Sequence, residues 1–134
     1  MKYLVDTSAL VRLWRRQADP AWREFARRGL ITVCEPVLAE TLVSAGAKQY
    51  EATEEEFRDT YLVATIPAGI WDLTAVIRRE LAPRSVHHGL SVTDLIVAAT
   101  AIKLKLEVLH EDADFETMAR FVPELRQRRV SAGP

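Results

Sequence analysis

Met1-Lys2-Tyr3-Leu4-Val5-Asp6-Thr7-Ser8-Ala9-Leu10 is the stretch from which the rest of the chain is read. The apolar run Tyr3-Leu4-Val5 stops abruptly at Asp6, and a helical pattern begins within two residues. That is the signature of a buried strand, here residues 2 to 5, whose carboxyl end presents an acid. In open α/β sheets ligands sit at the carboxyl ends of the strands. Asp6 is therefore a candidate site residue from the outset.

Working outward, Leu10, Val11, Leu13 and Trp14 give a helical stripe over about 8 to 17. Asp19-Pro20 opens a second helix, 21 to 28, which stops at Gly29. Leu30 to Cys34 is short and β-branched, so it reads as the second strand. Pro36 starts a helix over 37 to 47, and Thr53-Glu54-Glu55-Glu56 has the form of a capping box for a helix over 54 to 63. A short extended piece is expected at 65 to 68, then a helix from Gly69 to Leu81 ending at Pro83. Residues 83 to 90 form a loop carrying His87-His88. Val92 to Leu106 is apolar nearly all round, the mark of a buried helix. Residues 107 to 110 form a strand, 115 to 121 a helix, and 125 to 130 a last edge strand. Strands alternating with helices predict an α/β fold, a parallel sheet covered on both faces.

At 134 residues the chain is expected to be one domain, 1-134, able to bury about two thirds of its unfolded surface. Its longest apolar run falls short of the roughly 20 residues that span a membrane, and the N-terminus does not read as a signal peptide. The single cysteine, Cys34, excludes an intrachain disulfide and fits a reducing cytoplasm as a small buried hydrophobe. The net charge of −1 conceals an uneven distribution. Arg12, Arg15, Arg16, Arg23, Arg27 and Arg28 crowd one segment, Arg126, Arg128 and Arg129 another, and residues 51 to 59 are acidic. Arginine forks suit phosphate, although solvated helix faces explain such clusters equally well.

Four acids occupy one kind of niche: Asp6 after strand one, Glu40 in the helix after strand two, Asp94 in the first turn of the buried helix, and Asp112 after the strand 107 to 110, with Asp114 two residues on. Each has an ordinary role available. Asp6, Asp112 or Asp114 can cap a helix, Ser91-Val92-Thr93-Asp94 is itself a capping-box pattern, and Glu40 can face solvent. Together they say more, because in a parallel sheet all lie toward its one carboxyl edge. Carboxylates gathered there repel one another and raise their own pKa values unless a cation neutralises them. Hard oxygen donors select Mg²⁺ or Mn²⁺, and such a centre suits phosphodiester hydrolysis. The chain has no glycine-rich phosphate loop, no G-x-S-x-G and no Cys/His zinc spacing.

Val5-Asp6-Thr7-Ser8-Ala9-Leu10 resembles the opening of PIN-domain ribonucleases. Glu35-Pro36-Val37-Leu38-Ala39-Glu40, Thr93-Asp94-Leu95-Ile96-Val97-Ala98-Ala99 and Leu109-His110-Glu111-Asp112-Ala113-Asp114-Phe115 resemble that family's later acidic motifs, in order. The length matches the VapC toxins of bacterial toxin–antitoxin pairs. The resemblance implies a three-layer α/β/α PIN-like domain with a central parallel sheet of 4-5 strands. It implies Asp6, Glu40, Asp94 and Asp112 as the catalytic, metal-binding quartet around Mg²⁺ or Mn²⁺, Asp114 as an auxiliary ligand, and Thr7 or Ser8 orienting Asp6. His110 stands where the family commonly has Thr. The implied activity is a cytoplasmic endoribonuclease toxin cleaving structured RNA, tRNA or rRNA, as a homodimer in a toxin–antitoxin hetero-oligomer whose VapB-type antitoxin blocks the site.

Two readings of other kinds compete. A phosphatase of the haloacid-dehalogenase type requires a second Asp two residues after the first, where Ser8 stands. A non-catalytic module of the same fold, binding RNA or a partner protein, is separated from an enzyme by metal titration. A DNA-directed nuclease shares the same residues.

Overall fold

The computed structural model describes all 134 residues. Five strands form one sheet: β1 (Tyr3–Val5), β2 (Ile31–Cys34), β3 (Leu62–Ala64), β4 (Glu107–His110) and β5 (Gln127–Arg129). Their order is β3-β2-β1-β4-β5 and every pairing is parallel. Seven helices cover the sheet: α1 (Thr7–Trp14), α2 (Trp22–Arg27), α3 (Glu35–Leu42), α4 (Tyr50–Thr60), α5 (Ile70–Leu81), α6 (Val92–Leu104) and α7 (Ala113–Phe121).

The strand order carries the functional geometry. From β1 the chain builds outward through β2 to β3, then returns to place β4 on the other side of β1 and β5 beyond it. Connections therefore diverge at β1 and β4, which leaves a crevice at their carboxyl ends. Leu4 pairs with Val108 and Val5 with Leu109, and the Asp6 N–H continues the ladder to the Leu109 carbonyl at 3.0 Å. The parallel adjacency of these two strands is what a shared acidic site requires.

Burial explains why the central strands read as apolar runs. Every residue of β1 and β2 is buried, and Val108, Leu109 and His110 of β4 are wholly so. Tyr3 meets Trp22 of α2 edge-to-face at 5.3 Å between ring centroids. The Trp22 indole N–H donates to the Val130 carbonyl at 2.9 Å, tying α2 to the segment beyond β5. α6 is the buried helix its composition predicts, with Leu95 to Ala101 all buried. No helix is long and apolar enough to cross a membrane.

Three element expectations need correction. The capping box at Thr53 does not form: α4 starts at Tyr50, and Thr53 lies inside it, buried, its N–H already donating to Gln49. The helix also ends at Thr60, and the extended piece is Leu62–Ala64 rather than 65 to 68. Leu62 and Val63 continue the apolar stripe of α4 in sequence, yet they belong to an edge strand and remain exposed. α3 ends at Leu42 and passes into turns instead of running to 47.

Candidate metal centre

Asp6, Asp94 and Asp112 are brought together, each offering a carboxylate oxygen, with these oxygens all within 4.8 Å of one another. They arrive on three different elements, and each serves a helix N-terminus. Asp6 is the N-cap of α1 and accepts from the Ala9 N–H at 2.9 Å. Asp112 is the N-cap of α7 and accepts from Asp114 at 2.9 Å. Asp94 forms the capping box of α6 with Ser91, whose hydroxyl accepts from the Asp94 N–H at 3.0 Å. The capping role and the site role are thus one geometry. Three helix N-termini, each the positive end of a macrodipole, converge on one patch of negative charge.

Ser8 locks the centre of this arrangement. Its hydroxyl donates to both oxygens of Asp6, at 2.8 and 2.9 Å, and its oxygen accepts from the Glu111 N–H at 2.8 Å. The carboxyl ends of β1 and β4 are therefore laced by a single side chain. Of the two hydroxyls expected beside Asp6, Thr7 makes no such bond.

Behind Asp112 stands a second brace. The Asp112 N–H donates to His110 Nδ1 at 3.0 Å, so that nitrogen is unprotonated and Nε2 carries the hydrogen. Nε2 meets Gln127 Oε1 of β5 at 2.6 Å. Burial lowers the His110 pKa, in keeping with this neutral tautomer. The Gln127 link is invisible to sequence reading, because nothing in the order of residues announces which strand lies beyond β4.

The electrostatics fit a cation. Burial, with the charge of Asp94 beside it, raises the Asp6 carboxyl to about 6 against the Ala9 and Ser8 hydrogen bonds that lower it. Asp94 is raised by burial and by the charges of Asp112 and Asp114, and Asp114 by burial and Asp112. An all-carboxylate set whose members penalise one another's ionisation is what a hard divalent ion relieves. No Cys or His ligand stands among the three, which disfavours zinc. The remaining two sequence candidates lie outside this group of three: Asp114 is half-buried next to Asp112, and Glu40 is exposed on α3. His87 and His88 stack at 4.0 Å between centroids in the loop before α6.

Residues 3–121 match the PIN domain family. The chain belongs to the PIN-domain family. Similar sequences to this PIN domain include Ribonuclease VapC6 of Mycobacterium tuberculosis, 37% identical over 98 residues covering 72% of this chain and 77% of that one. Ribonuclease VapC2 of the same organism is 33% identical over 137 residues, covering 99% and 96% of the two chains. Among solved structures, the DNA-bound VapBC of Salmonella typhimurium superposes with a TM-score of 0.78 at 20% identity, covering 97% of this chain and 98% of that one. VapBC2 of Rickettsia felis, bound to a DNA fragment from its promoter, gives 0.77 at 19% identity with 96% and 98% covered. At such identities the superpositions establish the fold.

Proposed function

We propose that this PIN domain is a metal-dependent endoribonuclease toxin that hydrolyses phosphodiester bonds in structured RNA, tRNA or rRNA, and is held inactive by a VapB-type antitoxin. The observation that carries the reading is the meeting of Asp6, Asp94 and Asp112 at the β1/β4 switch point, with their oxygens within 4.8 Å. The VapC ribonucleases it is similar to, and the VapBC assemblies whose fold it shares, supply the class of activity and of partner.

In this reading Asp6, Asp94 and Asp112 hold Mg²⁺ or Mn²⁺, with Asp114 and Glu40 as outlying acids for water or for a second ion. Such an ion supplies Lewis acidity toward the phosphate and a nucleophilic water at neutral pH. The chain's own contribution is orientation. Ser8 fixes the rotation of the Asp6 carboxylate by holding both of its oxygens. His110 and Gln127 fix the turn that presents Asp112. The helix N-termini of α1, α6 and α7 favour negative charge on the substrate at the same spot.

Asp94→Asn tests the reading. Asparagine keeps the capping geometry of α6, so the fold is retained, while the charge is lost. Cleavage of total RNA in Mg²⁺ or Mn²⁺ is expected to fall at least a thousandfold. Undiminished cleavage by this variant, purified free of contaminating nuclease, overturns the mechanism. An absence of Mn²⁺ binding by the wild-type protein overturns the enzyme reading altogether.

A further inference from the structure

Beyond the acidic cluster, a cavity of about 340 Å³ opens between the last turn of α5 and the loop before α6, lined by Arg78, Arg79, Ala82, His87, Leu90 and Leu95. We propose that this cavity is a nucleotide subsite that holds the RNA strand next to the cleaved bond, Arg78 and Arg79 gripping phosphate while His87, Leu90 and Leu95 receive a base. The proposal deepens the nuclease reading and rests on it.

Three observations point the same way. Arg78 and Arg79 are exposed and, like Arg15, Arg16, Arg23, Arg28 and Arg120, make neither an ion pair nor a side-chain hydrogen bond; what sets the two apart is that they sit side by side at one cavity. Two free guanidinium groups at one cavity mouth match phosphate oxygens by their forked geometry. The cavity is also amphipathic as a nucleotide is. Its cations are accompanied by an imidazole face and by Ala82, Leu90 and Leu95, the kind of lining on which bases stack with little regard to sequence.

Position is the third observation. Leu95 of the cavity wall is the residue after Asp94 in the first turn of α6. Leu90 has the cavity on one side and lines a crevice with Asp114 on the other. The loop lies in ordinary contact with the same acid: a side chain begun at Gly89 would start 3.9 Å from Asp114 Oδ1. A strand whose phosphate sits in the acidic centre and which runs on past Leu90 meets Arg78 and Arg79. A protein segment with acidic side chains also suits free arginines. The adjacency to the reacting centre and the apolar, imidazole-bearing wall favour the nucleic acid.

The test compares two substrates in Mn²⁺: a labelled single-stranded RNA of mixed sequence, and methyl p-nitrophenyl phosphate, a diester that carries neither a second phosphate nor a base. Arg78→Gln/Arg79→Gln is expected to lower kcat/KM on RNA at least tenfold, chiefly through KM. It should leave hydrolysis of methyl p-nitrophenyl phosphate, a diester with no second phosphate for Arg78 and Arg79 to hold, unchanged. Losing two phosphate contacts should flatten the dependence of log kcat/KM on log salt by about 1.4, at about 0.7 per single-strand phosphate. His87→Ala is expected to cost several-fold on RNA with the salt slope intact. Each single arginine variant should show about half the slope change, which preserves the comparison if the double variant melts early. Wild-type rates and slope on RNA from the double variant overturn the subsite, as does an equal loss on both substrates. A change of oligomeric state in sedimentation velocity with RNA cleavage unaltered reassigns the arginines to a subunit contact and also overturns it. Failure of the wild-type protein to cleave either substrate overturns the nuclease reading itself.

Discussion

The Ser8 hydroxyl spans both carboxylate oxygens of Asp6, at 2.8 and 2.9 Å, and takes the Glu111 N–H at 2.8 Å on its own oxygen. A hydroxyl so placed acts on two strand ends at once. Ser8→Ala should leave the Glu111 N–H unpaired and free Asp6 to rotate, costing about 1–3 kcal/mol of stability. RNA cleavage is expected to fall ten- to a hundredfold, with metal affinity weakened in the same preparation. Urea unfolding and a Mn²⁺ titration on the same variant check it, and unchanged values in both would remove Ser8 from the site.

Asp6 itself should betray the strain of the metal-free centre. Its carboxyl is raised from the usual 3.8 to about 6, so the folded state binds the proton more tightly than the unfolded one. Stability must therefore fall as pH rises through the window from about 4 to 6, and the loss persists above it. The total is about 3 kcal/mol at most. Asp6→Asn has no such titration. In chelator at pH 7.5 it should be more stable than the wild type, and the advantage should vanish near pH 4. Parallel pH profiles for the two proteins would refute this.

Divalent ion should reverse that penalty. At about a hundred times Kd, Mn²⁺ is expected to stabilise the wild-type fold by about 2.7 kcal/mol, and chelator to remove the gain. Asp94→Asn should lose most of the effect. Thermal melts with and without Mn²⁺ measure it directly, and Ca²⁺ in place of Mn²⁺ probes selectivity for size.

His110 offers a graded experiment. Asparagine sets an acceptor near the place of Nδ1 but cannot reach Gln127, whereas alanine keeps neither bond. His110→Asn should retain much of the activity at a modest cost in stability. His110→Ala, which also leaves a hole where the ring packs on Phe115 at 5.3 Å, should lose about 2–4 kcal/mol and most of the cleavage. Equal behaviour of the two would mean that the ring merely fills space.

Much of this was legible in the order of residues. β4 has the expected bounds, 107 to 110, because an apolar strand there is bracketed by a helix end and an acidic turn. Asp6, Asp94 and Asp112 are legible because each follows or opens an apolar element at the carboxyl edge of a parallel sheet, but the same criterion also selects Glu40 and Asp114, which lie outside the group of three. What escaped was whatever depends on a partner far away in the chain. Thr53 looked like a cap until its neighbours turned out to be helical already, and Leu62-Val63 looked like more helix until β2 claimed it as a strand. Gln127 and the unpaired state of Arg78 and Arg79 are properties of assembled surfaces, with no local signature at all.

The lacing of β1 to β4 also bears on when the acidic centre comes into being. Asp6 follows β1 and Asp112 follows β4, far apart in the chain, and their carboxylates meet only when the two strands pair. Until β4 and the turn that follows it have been synthesised and slotted beside β1, Asp6 and Asp94 lack the third carboxylate of the group. Synthesis itself thereby postpones assembly of the centre to the last stretch of the chain, where β4 and α7 are laid down.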